Sequence, residues 1–192
     1  MSAQKLLHEN VSNFFSSFQK RHEKHMACRE GCSRCCHTNI TVFLSEATEI
    51  VTWFKAQSQE TQDLLRQKWG QPQNAGPDAS GKLQQPCAFL HDNRCSIYDA
   101  RPTICRSQGL PVMFREENPK TKETTIHVDV CPLNFTLPNT LPPQAEWLDL
   151  DRLNTLQSLA SQQSAPNSGD LGSLADANGR IALHTLCKWL KK

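Results

Sequence analysis

Apolar residues near the start of the chain recur at three- and four-residue steps. Leu7, Val11, Phe14, Phe15 and Phe18 form one stripe, which predicts an amphipathic helix over residues 4–25. Its far end turns basic through Lys20, Arg21, His22, Lys24 and His25, as suits the carboxyl end of a helix dipole. The stretch 28–36 contains Gly31 and predicts a loop folded back on itself, and the β-branched run 39–43 predicts a short strand. Ser45 is placed to cap a helix with Glu46 and Glu49 in its first turn and Ala47, Ile50, Val51 and Phe54 on its buried face. A second helical piece over 61–69 carries Leu64, Leu65 and Trp69.

Between residues 70 and 85 the pattern dissolves into Gln, Pro, Asn, Gly, Ser and Asp, the chemistry of a mobile insertion. It resumes with short apolar pieces on either side of His91-Asp92-Asn93, predicting a hairpin that brings Cys87 and Cys95 together, with Tyr98 packed in it. Asp92 and Asp99 fit a turn and a helix start. Pro102 is placed to open a short helix carrying Cys105. After the turn at Asn118-Pro119-Lys120, residues 125–130 alternate like a half-buried strand that ends at Cys131. Trp147, Leu150, Leu153, Leu156 and Leu159 predict a helix, and Ile181, Leu183, Leu186, Trp189 and Leu190 a last one, with 164–172 a flexible connection between them.

The elements predict an α+β fold: small irregular strands and loops in a cysteine-rich core, covered by helices from both ends of the chain. Length fits one domain over 1–192, with the core at 28–131, the insertion at about 70–85 and the C-terminal helices at about 145–192.

Composition narrows the function classes. With 21 basic and 19 acidic residues the net charge of +2 gives no field that would argue for nucleic acid or an anionic membrane. No stretch has the apolar length of a membrane span, and the first residues lack a signal-peptide core, so a soluble cytoplasmic protein is expected. No serine–histidine–aspartate triad, phosphate loop or paired-carboxylate site is apparent.

Nine cysteines change the picture. In a reducing cytosol, thiols at this density point to metal binding or redox chemistry before disulfides, and an odd total fits a disulfide framework poorly. Cys28, Cys32, Cys35 and Cys36 fall within one short stretch, and Cys87, Cys95, Cys105 and Cys131 follow. Thiolates are soft ligands that select zinc, cuprous copper or iron–sulfur clusters. Cys32 and Cys35 have the two-residue spacing that lets both sulfurs face one ion. Side chains of adjacent Cys35 and Cys36 diverge, which predicts at least two metal centres or one polynuclear cluster. Cys187 shares helical spacing with Leu183 and Leu190 and reads as a small core residue.

Clustered thiolates concentrate negative charge, so cations are expected beside them. Arg29, Arg34, Arg94, Arg101 and Arg106 all lie within a few residues of a cysteine; Arg101 and Arg106, flanking Cys105, are the best placed to donate to sulfur or hold an anionic ligand. His37, His91 and His127 are possible nitrogen ligands, but sulfur alone suffices.

The four-cysteine cluster, followed by Pro86-Cys87-x-Phe89-Leu90, Cys95-x-Ile97-Tyr98 and Arg101-Pro102-x-x-Cys105-Arg106, resembles the bacterial YkgJ family of cysteine-cluster proteins over about residues 28–131. The resemblance implies a cytosolic domain that chelates zinc or iron. A similar cluster occurs in the flagellin lysine N-methylase family, where it implies an iron–sulfur centre; this chain is much shorter than those enzymes.

Two function classes therefore stand against each other. One is a protein that holds zinc or iron for structure, storage or delivery. The other is an iron–sulfur redox protein or enzyme, S-adenosylmethionine-linked through the Cys28-x3-Cys32-x2-Cys35 spacing, though the long strand–helix series of such enzymes is missing. A zinc-stabilised protein adaptor is a third reading; nucleic acid is disfavoured by charge.

Overall fold

The computed structural model describes residues 2–164 and 169–192. Helix α1 (Ala3–His22) opens on Ser2, whose hydroxyl accepts from the Lys5 amide at 3.1 Å, and tightens into a 3-10 turn at Glu23–His25. Val11 and Phe18 of the predicted stripe are buried, but so are the polar residues Gln4 and His8 on the same face.

Strand β1 (Thr41–Phe43) leads directly into α2 (Leu44–Lys55). Ser45 lies one residue inside that helix and does not cap it; its hydroxyl donates instead to Gln4 Oε1 at 2.7 Å. Glu46 supplies the cap by reaching back to the Phe43 amide at 3.0 Å. Ala47, Ile50, Val51 and Phe54 form the buried face as the spacing predicts. Helix α3 (Gln59–Gly70) starts at Ser58, which accepts from Thr61 N; it buries Leu65 and Trp69 but leaves Leu64 in solvent, 52% exposed.

The stretch expected to be a structureless insertion is partly ordered. Strands β2 (Gly76–Pro77) and β3 (Leu83–Gln84) pair antiparallel across a turn held by Asp78. Strands β4 (Leu90–His91) and β5 (Arg94–Cys95) form the predicted hairpin, and both turn residues, Asp92 and Asn93, take positive φ, as a tight two-residue hairpin turn requires. Pro102 precedes α4 (Thr103–Ser107), which carries Cys105 as expected.

Strand β6 (Val112–Glu117) escaped the periodicity argument because three apolar residues precede three charged ones, with no alternation. It pairs with β7 (Thr124–Asp129), which is more exposed than its pattern predicts: Ile126 is 48% exposed, and only His127, stacked on Phe114, is part-buried. Strand β8 (Leu148–Asp149) adds parallel to β6, giving the order β7-β6-β8.

Helix α5 (Leu150–Ser164) buries Leu153, Gln157 and Ala160, so Leu156 and Leu159 of the three-residue pattern face solvent, since a strict step of three drifts around a 3.6-residue helix. The predicted connection 164–172 lies partly outside the described residues; within them Gly169–Leu174 is a 3-10 helix that buries Leu171. Ile181 is not helical. A turn from Asp176 to Gly179 sends it into β9 (Arg180–Ala182), antiparallel to β1, before α6 (Leu183–Leu190) begins.

The main core gathers Val42, Ile50 and Phe54, Leu65 and Trp69, Phe89 and Ile97, and Ile181, Leu186 and Leu190. Trp69 is its hinge, with ring centroids 5.4 Å from Phe54 and 5.0 Å from Phe89, and its indole N–H satisfied by Ser96 Oγ at 2.7 Å. Phe89, Cys87 and Cys95 pack on this core, so burial of the aromatic hairpin fixes where two of the thiols stand.

Candidate metal centre

Local backbone geometry aims the first four cysteines. Cys32 N donates to Arg29 O at 3.0 Å, closing a turn over Glu30 and Gly31 in which Gly31 takes φ +84°, a conformation that glycine adopts without a Cβ penalty. Cys35 and Cys36 sit on a 3-10 turn, Arg34–Cys36, and their side chains do not diverge as expected from sequence: the Cys36 thiol stays close enough to donate to Cys35. The later cysteines come from separate elements: Cys87 from the entry to the β4–β5 hairpin, Cys95 from β5, Cys105 from α4, and Cys131 from the residues after β7.

The two halves meet. Cys87 N donates to Cys36 O at 2.7 Å, and the hairpin turn docks on the first loop through Ser33 Oγ to Asn93 Oδ1 at 2.8 Å. Charge on Cys131, Cys32 or Cys35 acts on Cys28, charge on Cys35, Cys105 or Cys87 on Cys36, and charge on Cys87, Cys95 or Cys35 on Cys105. Cys35 thus acts on thiols of both halves, on Cys28 and Cys131 and also on Cys87, Cys95 and Cys105. All eight are part-buried free thiols, and Cys187 is a buried ninth, its S–H directed at Ala88 O. Among the described residues, no three histidine, cysteine, aspartate or glutamate side chains already stand as a closed metal-holding group.

Burial pushes the thiols of Cys28, Cys95, Cys105 and Cys131 up, and that of Cys87 up to about 11. Cys35 moves the other way, to about 7, because it accepts the hydrogen bond of Cys36, which is raised in consequence; Arg101 adds to the lowering of Cys35.

Of the five arginines singled out by sequence, Arg101 is the one whose charge lowers thiol pKa values, those of Cys35 and Cys95. Its guanidinium lies 3.9 Å over the ring of Tyr98, which is 57% exposed instead of packed within the hairpin, and its Nε is buried with no hydrogen-bond partner. Arg106 turns away: it donates to Arg101 O, Asp99 O and Ser12 Oγ, so it braces the approach to α4. Arg34 donates to the carbonyls of Pro77 and Asp78, and Arg94 pairs with Glu30 at the surface. His37 is buried, with Nδ1 on Ser33 O at 3.1 Å and its ring against Gly76, which docks the 70–85 segment on the first cysteine loop. His91 bonds Gln71 and Asp92, and His127 lies by Glu116.

Two sets of residues were missed by sequence reasoning. Asn134, 3% exposed, contacts Cys28 Sγ through its amide nitrogen at 3.5 Å. Glu46, 2% exposed, accepts from the amide of Thr103 at 2.8 Å at the start of α4, two residues before Cys105, and from Gln157 Nε2 at 2.8 Å. Glu and Asn carry no positional signal of this kind; only the partners reveal it. A concavity of about 670 Å³ between α1, α2 and the Asp99–Ala100 turn is lined by Lys5, His8, Trp53 and Arg106 among others and by none of the cysteines.

The donor set fits a soft, cationic metal or cluster: free thiols that repel one another when ionised, and a buried guanidinium N–H with nothing to bond. A family model, CxxCxxCC, described as "Putative zinc- or iron-chelating domain", matches residues 27–132, more than half of the chain. The chain belongs to the CxxCxxCC family. Its first spacing departs from the pattern that gives the CxxCxxCC family its name, with three residues between Cys28 and Cys32 where the pattern has two; the turn at Glu30–Gly31 absorbs the extra one. The α+β fold expected from sequence is present, and no helix among the described residues is long and apolar enough to cross a membrane. Neither the curated proteins nor the solved structures give a match.

Proposed function

We propose that this chain, as one domain, holds at least two zinc or iron ions through Cys28, Cys32, Cys35, Cys36, Cys87, Cys95, Cys105 and Cys131. The observation that carries the reading is the docking of the hairpin bearing Cys87 and Cys95 on the first cysteine loop, with Cys87 N donating to Cys36 O at 2.7 Å and Ser33 Oγ to Asn93 Oδ1 at 2.8 Å. Cys28, Cys32 and Cys131 would complete one centre with Cys35; Cys87, Cys95 and Cys105 would complete the other with Cys36. When bound, the metal supplies cross-links between chain segments that no disulfide joins, and in such sites binding energy is folding energy.

The chain's own residues supply the rest. The Cys36–Cys87 backbone bond sets the spacing of the two halves, and Phe89 anchors the hairpin bearing Cys87 and Cys95. Arg101 offsets thiolate charge, its unpartnered Nε being free to donate to a sulfur acceptor. The same Nε would serve the sulfide of an iron–sulfur cluster, which keeps a redox role open to this site. Free thiols at this density suit a reducing, cytoplasmic setting.

Anaerobic purification followed by metal and acid-labile sulfide analysis and a visible spectrum tests the reading. Colourless protein with about two or more zinc ions per chain is the tetrathiolate outcome, and brown protein with sulfide the iron–sulfur one. Protein that retains neither metal after reconstitution refutes both.

A further inference from the structure

Asn134 lies beyond the matched span 27–132, yet two other chain segments converge on its side chain. Oδ1 accepts from Ala27 N at 2.8 Å; Nδ2 donates to Gly109 O at 2.8 Å and reaches Cys28 Sγ at 3.5 Å. The two backbone partners have opposite polarity, so the amide has one satisfied orientation, and in that orientation its second N–H faces sulfur. The backbone of the same residue closes the turn of Cys131, with Asn134 N on Cys131 O at 2.8 Å. Gly109 completes the seat: it has φ +96°, and a Cβ there would collide with Cys28 Sγ and stand 3.3 Å from Asn134 Nδ2.

We infer that Asn134 is a positioning residue of the metal centre, which holds the Cys28 sulfur toward Cys131 and donates an N–H to it in its metal-bound form. The inference rests on the cysteine-ligand reading above. An amide N–H is a suitable neighbour for a metal-bound thiolate, because it offsets negative charge without competing for the metal. A purely structural asparagine would need only the two backbone bonds; the third contact, to sulfur, is what ties it to the metal.

Asn134→Asp is the discriminating variant. It keeps the size of the side chain and the acceptor for Ala27 N, but sets an anion against both Gly109 O and the Cys28 sulfur. Reduced wild type, Asn134→Asp, Cys28→Ser and the double variant are each titrated with cobalt(II), following sulfur-to-cobalt charge-transfer absorption, and the cobalt is then competed with zinc in the presence of a chelator. Asn134→Asp is expected to weaken the affected site by about 10–100-fold and to lower the charge-transfer intensity. On the Cys28→Ser background the same substitution is expected to change affinity by less than about twofold, since its effect runs through that sulfur. Wild-type affinity in Asn134→Asp overturns the inference, as does a loss that multiplies in full with that of Cys28→Ser, which would mark a general effect on folding. A wild type that binds neither metal removes the cysteine-ligand reading as well, whereas normal wild-type binding with an unaltered Asn134→Asp removes this inference alone.

Discussion

Replacing Glu46 should damage a site its side chain never touches. Glu46 is buried, and its carboxylate accepts from two backbone amides, Phe43 at 3.0 Å and Thr103 at 2.8 Å, and from Gln157 Nε2 at 2.8 Å, with His8 3.9 Å away. In Glu46→Ala all three donors lose their acceptor where little water can replace it, at about 1–3 kcal/mol each. Removing a desolvated charge returns part of that, leaving a net loss of about 3–5 kcal/mol. Glu46→Gln keeps one carbonyl oxygen and turns the other contact into donor against donor, for a loss of about 1–3 kcal/mol. Urea unfolding at pH 7, followed by fluorescence and far-UV dichroism together, measures both, and the order Ala worse than Gln is part of the expectation. The pH dependence has a definite sign. Burial pushes the Glu46 carboxyl up, but His8 and the amides of Phe43 and Thr103 outweigh burial and hold it below its ordinary 4.5. A depressed carboxyl contributes stability that is complete above its unfolded pKa and is lost as pH falls through the folded one. The gap between wild type and Glu46→Gln should therefore stay constant from neutral pH down to about 5 and close only in stronger acid. Because Thr103 opens the helix that carries Cys105, metal retention should fall in the same order as stability. Variants within about 1 kcal/mol of wild type, or a gap already closed near pH 6, would refute this account.

Cys36→Ser should lower metal content per chain while Cys187→Ser leaves it unchanged, read by elemental analysis of protein purified without oxygen; equal loss in both would contradict the assignment of Cys187 to the core. In metal-free protein, burial raises Cys87 to about 11 from an ordinary 9.0, so this thiol stabilises the fold fully below pH 9 and the contribution is lost as pH rises toward 11. Denaturant midpoints of metal-free protein should fall across that window, and those of metal-loaded protein should not, its thiolates being already ionised. Gly109→Ala should cost about 1–3 kcal/mol from backbone strain at φ +96°, with more from the Cβ against Cys28 Sγ, and should release metal where Gly81→Ala, also at positive φ but in open space, does not.

Sequence periodicity located the elements that bury one clean face. Ala47, Ile50, Val51 and Phe54 are such a face, and Asp92-Asn93 marks a hairpin because few other residues take two successive positive φ values. It failed where burial is polar or where partners are distant. Gln4 bonds His8 and Ser45 inside the fold, and Glu46 the amides of Phe43 and Thr103, so each reads as a surface residue when its neighbours in space are unknown. Strand β9 forms because β1 needs a partner some 140 positions away, information that no window around Ile181 contains. For the candidate centre, spacing made the cysteines conspicuous and the α+β core predictable. Which arginine turns toward sulfur depends on side-chain paths: Arg106 finds three acceptors along its own helix approach and on α1, while Arg101 finds none for its Nε.

The pairing of β1 with β9 also bears on how the chain is made. A ribosome delivers residues in order, so every cysteine from Cys28 to Cys131 emerges before Arg180–Ala182 can pair with Thr41–Phe43. Until then Val42 and Ile50 lack the cover of Ile181 and Leu186, and the hairpin bearing Cys87 and Cys95 rests on an unfinished core. The nascent chain thus exposes all eight of the proposed ligand thiols for the time it takes to add some fifty residues, and the closing strand seals whatever arrangement those thiols have reached.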